Sequence, residues 1–168
     1  QRLADKYLTD ANWAIAERLR AFAEARGHTL LELAFAWLLA KPPVASVIAG
    51  GVLRPSSLEL VGSLAESTFN HVNIGTAVVG ADGLTADGGL TTHDEIEART
   101  NAAMITRARH VIAVRASSKI GNATLATMAD VADVDILVTD SDLDPAQLSA
   151  IRAAGVDVQI VEAPRGLP

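Results

Sequence analysis

The stretch VVGADGLTADGGLTTHDE, residues 78–95, contains one complete change of secondary structure. An apolar run ends at Gly80, a loop follows that contains four glycines when Gly80 is included, and a helix is predicted to begin near Asp94. A strand that leads through a loop into a helix is the repeating unit of α/β folds. Because ligands bind beyond the carboxyl ends of strands in open α/β sheets, this loop is also the first candidate for a binding site.

The same alternation extends in both directions from this stretch. Short, nearly continuous apolar runs rich in Val and Ile are typical of strands buried on both faces of a parallel sheet. Five such runs are VASVIAG (44–50), NIGTAVVGADG (73–83), HVIAVRASS (110–118), DVDILVTD (133–140) and VDVQIVEA (156–163). Helices are predicted between them at 57–71, 94–109, 123–129 and 145–154. We therefore predict a layered α/β fold, with a mostly parallel five-stranded sheet and helices on both faces.

Two helices are predicted before the first of these runs. Asp10 can cap a helix that runs to about Arg26, and Gly27 follows as the residue that ends it. The stretch Thr29–Glu32 has a capping-box pattern and opens a second, mostly apolar helix. Pro42-Pro43 stops that helix.

Composition excludes several classes of protein. The 168 residues are 49% hydrophobic and carry a net charge of -6, which argues against nucleic-acid binding through this chain alone. The chain has no Cys and its four His form no metal-binding pair, so we predict no disulfide and no metal site. Neither a signal peptide nor a membrane span is predicted, and we expect a cytoplasmic protein. The start at Gln1 rather than Met suggests an excised or engineered piece.

Two loops carry residues that could bind an anion. Gly residues in the loop after Gly80 would let backbone amides approach a phosphate, and Lys119, beside Ser117 and Ser118, would supply a charge. The alternative is that these glycines only allow turns and that Lys119 is an ordinary surface residue. Residue types and spacing leave both interpretations open.

Residues 44–163 resemble the effector-sensing domain of DeoR-family transcriptional repressors. The matching text is GGVLRPSSLELVG (50–62), VGADGLTADGGLTTHDEIEARTNAAMI (79–105), SSKIG (117–121) and DILVTD (135–140). This resemblance implies a domain that binds phosphorylated sugars or similar metabolites and has a fold like that of ribose-5-phosphate isomerase. In an ungapped alignment, the Lys of the isomerase Lys-Gly-Gly run falls on Thr92 and its catalytic Glu falls on Asn101. Since Asn cannot act as the base, the resemblance implies binding without catalysis.

Residues 5–50 resemble the C-terminal part of aldo-keto reductases. The text is DKYLTDANWAIAERLRAFAEARGHTLLELAFAWLLAKPPVASVIAG. In that family it forms late helices and the last strand of a (β/α)8 barrel, near the NADP phosphate. The resemblance implies that only Gly50 and Arg54 could touch a cofactor, so no hydride transfer, enzyme activity or cofactor is expected.

Together the two resemblances predict a chimera. A helix–helix–strand segment, residues 1–50, would be joined near Gly50–Gly51 to a sensor segment, residues 51–163, with a tail at 164–168, all in a single domain. We expect a weak, vestigial sugar-phosphate site in this engineered or recombined chain. The predicted site residues are Gly50, Gly51, Arg54, Gly80, Ala81, Asp82, Gly83, Thr91, Thr92, Ser118 and Lys119. The alternatives are a genuine repressor sensor and a reductase fragment with residual NADP contact. Effector identity and homo-oligomer formation stay open.

Overall fold

The computed structural model describes residues 8–42, 50–54, 57 and 59–162. The chain forms two compact units, residues 1–60 and residues 61–168, whereas the sequence predicts one domain whose segments change at Gly50–Gly51. Among the described residues, no helix is both long enough and apolar enough to cross a membrane.

Helix α1, Asp10–Glu24, is the first element in the described part of the first unit. Its cap is Thr9 rather than Asp10, because the Thr9 hydroxyl accepts a hydrogen bond from the Asn12 amide at 3.3 Å. Asp10 instead lies in the first turn, where the helix dipole favours a negative charge. The helix ends before Gly27, whose φ of +76° agrees with the prediction that it terminates the helix.

Helix α2 spans Leu30–Leu39 and starts with the predicted capping box. The Thr29 hydroxyl accepts from the Glu32 amide at 3.1 Å, and the Glu32 carboxylate accepts from the Thr29 amide at 2.6 Å. Two short strands, β1 (Val52–Arg54) and β2 (Glu59–Val61), pair in a two-stranded sheet. The predicted strand at 44–50 lies almost entirely outside the described residues.

The second unit is organised around a four-stranded parallel sheet. Its strands are β3 (Ile74–Val79), β6 (Ala108–Val114), β8 (Ile136–Asp140) and β9 (Asp157–Val161), in the order β3-β6-β8-β9. All three pairings are parallel. Four of the five predicted strands are therefore present, and the α/β prediction is confirmed.

A second, antiparallel sheet of three strands is a feature that the sequence did not predict. Its strands are β4 (Gly83–Thr85), β5 (Gly89–Thr92) and β7 (Ala126–Ala129), in the order β4-β5-β7. The predicted helix at 123–129 is wrong, because its last four residues pair with β5 instead. Ala and Met locally favour a helix, so the pairing with a strand distant in sequence overrides the local preference of this segment.

Three helices complete the second unit: α3 (Ser63–Asn70), α4 (Glu95–Thr106) and α5 (Pro145–Ala153). Asp94 caps α4 by accepting from the Glu97 amide at 2.9 Å, and Asp144 caps α5 by accepting from the Ala146 amide at 2.8 Å. Helix α4 stops before the predicted Arg109 because β6 already begins at Ala108.

The core of the second unit lies on one face of the parallel sheet. Alternate strand residues are buried there, as Val79 and Ala113 show, and hairpin residues Leu84 and Leu90 add to it. The alternating residues on the opposite face are exposed or partly buried; Val78, for example, is 63% exposed. The described helices α4 and α5 contribute Ala98, Ile105 and Ile151 to this same core. The predicted helices on both faces are thus seen on one face of the described unit.

Candidate functional site at the carboxyl edge of the parallel sheet

Parallel pairing brings the carboxyl ends of β3, β6 and β8 to one edge of the sheet. Asp82 follows β3, Arg115 follows β6 and Asp140 ends β8, so residues far apart in sequence lie at a common edge. The backbone secures this arrangement, since the Arg115 amide donates to the Val138 carbonyl at 2.9 Å.

Asp82 is the most highly connected side chain of this edge. Its Oδ2 accepts from the Thr92 hydroxyl at 3.0 Å and from the His93 amide at 3.3 Å. Its Oδ1 accepts from Arg115 Nη2 at 3.4 Å in a partly buried ion pair. These contacts tie the β3 end to strand β5 and to the β6 end, and they occupy both carboxylate oxygens.

The surroundings of Asp82 shift the pKa of its carboxyl group. Burial raises the pKa, but the bonds from the His93 amide and the Thr92 hydroxyl lower it more. Electrostatic interactions with His93 and Arg115 lower the pKa of Asp82 further. The net pKa lies below the ordinary Asp value, so the side chain is a carboxylate at neutral pH.

The lowered pKa predicts that Asp82 makes folding sensitive to acid. Because the folded pKa lies below the unfolded value of about 3.9, the carboxylate stabilises the fold above about pH 5, and this contribution is lost as pH falls through the folded pKa. Asp82→Asn should therefore lose less stability between pH 5 and pH 3 than the wild type does. Urea unfolding followed by far-ultraviolet circular dichroism at both pH values measures the difference. Equal losses in the two proteins would contradict this assignment.

The loop after β6 forms a single 3-10 turn, Ser117–Lys119, at the same edge. The Ser117 amide donates to Asp140 Oδ2 at 2.9 Å, and the Asp142 amide donates to Asp140 Oδ1 at 3.1 Å. Bonds from the Ser117 hydroxyl and amide, with that from the Asp142 amide, lower the pKa of Asp140. Ser118 and Lys119 are exposed, so their side chains are accessible to a ligand from solvent.

The glycines of the loop after β3 have two different roles. A Cβ at Gly83 would lie 2.2 Å from the Asn122 carbonyl oxygen and 2.7 Å from Thr91 Oγ1, so Gly83 is needed for close packing. A Cβ at Gly80 would meet nothing within 4 Å, and the space beside it is open. Ala81, between them, is buried in the core.

Thr91 and Thr92 are buried structural residues of strand β5, at 2% and 0% exposure. Thr91 Oγ1 accepts from the Thr124 amide at 2.9 Å, and the Thr91 carbonyl accepts from the Asp82 amide at 2.8 Å. The hydroxyls of both threonines therefore form hydrogen bonds inside the protein and are not exposed to solvent.

The other predicted site residues, Gly50, Gly51 and Arg54, belong to the first unit. Arg54 Nη1 donates to the Ser57 hydroxyl at 3.4 Å, and Gly51 has a φ of +105°. Their place in a common site with the second unit stays a prediction. Among the described residues, no group of three or more acidic or His side chains is arranged to hold a metal ion.

Sequence reasoning omitted Arg115, Thr139 and Asp140 from the site. Each follows or ends an apolar run, which is the signal that could have indicated it. Four buried side-chain polar atoms in the described part of the chain lack a hydrogen-bond partner, namely Glu66 Oε1, Arg115 Nε, Thr124 Oγ1 and Thr139 Oγ1. Three of these belong to residues at this edge or bonded to its threonines.

Comparison with known protein families identifies the sequence. The model of the DeoR C terminal sensor domain matches residues 11–141. The chain belongs to the DeoR sensor family. This match includes both sides of the predicted seam at Gly50–Gly51, and it covers most of the segment that resembles a reductase.

Similar regulators agree with this assignment. The chain is 35% identical over 111 residues to the HTH-type transcriptional regulator GlpR of Haloferax volcanii, covering 66% of this chain and 44% of that protein. It is 30% identical over 104 residues to the glycerol-3-phosphate regulon repressor of Escherichia coli, covering 62% and 41%. It is 24% identical over 149 residues to the HTH-type transcriptional regulator GolR of Listeria innocua, covering 89% and 59%. The chain thus spans about half the length of these curated relatives.

These similarities correct the sequence-based interpretation. They support the DeoR sensor, which was an alternative, and they give no support to an aldo-keto reductase segment or to a chimera. Because the relatives are transcriptional regulators and the matched family is a sensor domain, the prediction that the chain is not an enzyme is confirmed.

Proposed function

We propose that this DeoR sensor domain binds a phosphorylated sugar or polyol at the carboxyl edge of its parallel sheet. The observation that carries the proposal is a pair of buried polar atoms at this edge, Arg115 Nε and Thr139 Oγ1, that have no partner among the described residues, with a third such atom on Thr124, which bonds to Thr91. A buried donor or acceptor without a partner costs about 1–3 kcal/mol, and a site that must accept a polar ligand gives a reason for that cost.

Lys119 is the group that we propose for the phosphate. Its side chain is exposed beside Ser118, on a turn that the Asp140 carboxylate anchors through the Ser117 amide. A lysine ammonium binds phosphate as a point charge, and a serine hydroxyl can add a hydrogen bond. The open space beside Gly80 leaves room for the rest of a small ligand at the end of β3.

Binding would link metabolite concentration to gene control. As the sensor of a regulator, the domain would act in the cytoplasm, and effector binding would change how the complete regulator acts on transcription. The chain itself has a net charge of -6 and is not proposed to contact DNA. Other segments of the regulator would supply that contact.

Isothermal titration calorimetry with ribose 5-phosphate and glycerol 3-phosphate tests the proposal. We expect a phosphate-dependent affinity that falls about tenfold in Lys119→Ala, since one charge-assisted contact is lost. Arg109→Ala is the matched control, because Arg109 is an exposed cation near the opposite, amino end of β6. It should bind as the wild type does. Equal binding of ribose and ribose 5-phosphate, or no binding of any phosphorylated compound at millimolar concentration, would reject the proposal.

A further inference from the structure

The Arg115 side chain is a cation at the carboxyl edge of the parallel sheet, and it is only loosely held there. Its described hydrogen bond is from Nη2 to Asp82 at 3.4 Å, longer than the 2.7–2.9 Å that is usual between a guanidinium and a carboxylate. The Arg115 Nε is buried and has no hydrogen-bond partner within the part of the chain that the structure describes. About a quarter of the side chain, 24%, is exposed, so a ligand can reach the guanidinium.

Asp82 is better placed to position Arg115 than to bind a ligand. Its Oδ2 already accepts from the Thr92 hydroxyl and the His93 amide, and its Oδ1 faces the guanidinium. Three of the roughly four acceptor positions of this carboxylate are therefore already in use. These contacts favour a positioning role for Asp82 over a direct ligand contact.

Thr139 is a further polar residue at the carboxyl edge of the sheet, on the strand next to Arg115. In the parallel pairing of β6 with β8, Ala113 lies opposite Leu137 and Val114 lies opposite Val138. The next position in this register places Thr139 beside Arg115. Thr139 is 2% exposed, and its hydroxyl has no hydrogen-bond partner among the residues described. Two neighbouring strands therefore each end with an unused hydrogen-bonding group.

We infer that Arg115 binds a second acidic group of the effector, so that the ligand is a small phosphorylated acid with a carboxylate as well as a phosphate. This inference rests on the proposed function, because it assigns the phosphate to Lys119. A carboxylate can accept from two donors of one guanidinium, whereas a hydroxyl offers a weaker, neutral acceptor. The long bond to Asp82 leaves the guanidinium free to turn toward such a ligand.

A matched pair of three-carbon ligands tests this inference on the full chain. Glycerol 3-phosphate and 3-phosphoglycerate differ at one end, where the first has a hydroxymethyl group and the second a carboxylate. We expect the wild type to bind 3-phosphoglycerate at least about tenfold more tightly in calorimetry. In Arg115→Gln this preference should disappear while the affinity for glycerol 3-phosphate is retained. Arg115→Lys keeps the positive charge but loses the paired donors of the guanidinium, so it should keep only part of the preference for 3-phosphoglycerate.

Arg99→Gln is the control variant, because Arg99 also pairs with one carboxylate, Glu66 at 3.0 Å, but on helices α3 and α4. It should keep the wild-type preference. Urea unfolding of each variant shows that it is folded before titration. Wild-type affinities that are equal, or that favour glycerol 3-phosphate, would overturn the inference and leave the proposed function intact. Absence of binding to every phosphorylated compound would overturn both.

Discussion

Gly83→Ala should destabilise the second unit by about 3 kcal/mol, in the upper part of the usual range for overpacking. The new methyl group would lie 2.2 Å from the Asn122 carbonyl oxygen, and backbone cannot rotate away as a side chain can. It would also lie 2.7 Å from Thr91 Oγ1, so strands β4 and β5 would have to separate. Urea unfolding measures the difference in the free energy of unfolding.

Gly80→Ala is the matched control for this prediction. It adds the same methyl group three residues earlier, where nothing lies within 4 Å, and it should change stability by less than about 0.5 kcal/mol. Similar unfolding midpoints for the two variants would show that the close approach at Gly83 does not constrain the fold.

The spectroscopic signal used to follow unfolding determines which of the two units is observed. Both tryptophans of the chain, Trp13 and Trp37, belong to the first unit, so their fluorescence reports on that unit. Circular dichroism or amide hydrogen exchange of β3, β6 and β8 follows the second unit. Using both kinds of signal shows whether a substitution acts on one unit or on the whole chain.

Leu137→Ala should be the most destabilising of the core substitutions that shorten a side chain, at about 2–5 kcal/mol. Leu137 is 0% exposed and lies on β8, which pairs on both sides with β6 and β9. Removing three carbon atoms there leaves a cavity that two neighbouring strands prevent from closing.

Val78→Ala serves as the comparison for Leu137→Ala. Val78 lies in the same sheet but is 63% exposed, so its truncation should cost about 0.5 kcal/mol. Hydrogen exchange should accelerate across β6, β8 and β9 in Leu137→Ala and remain near the wild-type rates in Val78→Ala. If both variants unfold at the same urea concentration, the buried face has been assigned incorrectly.

The parallel strands were predictable because buried strands need continuous apolar runs, and those runs are visible without a structure. Strand β7 was not predictable in the same way. Three of its four residues, in Ala126–Ala129, are good helix formers, and their partner β5 lies more than thirty residues away in the chain. The sequence indicated that the Gly-rich loop needs glycine. It could not show that Gly83 and Gly89 belong to a β-hairpin, because that depends on the residues that pack closely against them.

In the candidate site, too, local contacts were predictable from the sequence and contacts between distant strands were not. Asp82 and Thr92 could be placed together because ten residues of one loop and hairpin connect them. Arg115 could not, because its contact with Asp82 depends on the register between β3 and β6. The helices of residues 10–39 led sequence reasoning toward a reductase, since two apolar helices followed by a strand occur in many α/β proteins.

The position of Arg115 has a consequence for how such sensors diversify. Its backbone amide bonds to Val138, and that bond does not depend on the side chain that residue 115 carries. The sheet therefore holds the position in place while the side chain can change without cost to the strand pairing. Under the proposed binding mode, replacing this one strand-terminal residue would alter the ligand contact and leave the strand pairing of the scaffold unchanged.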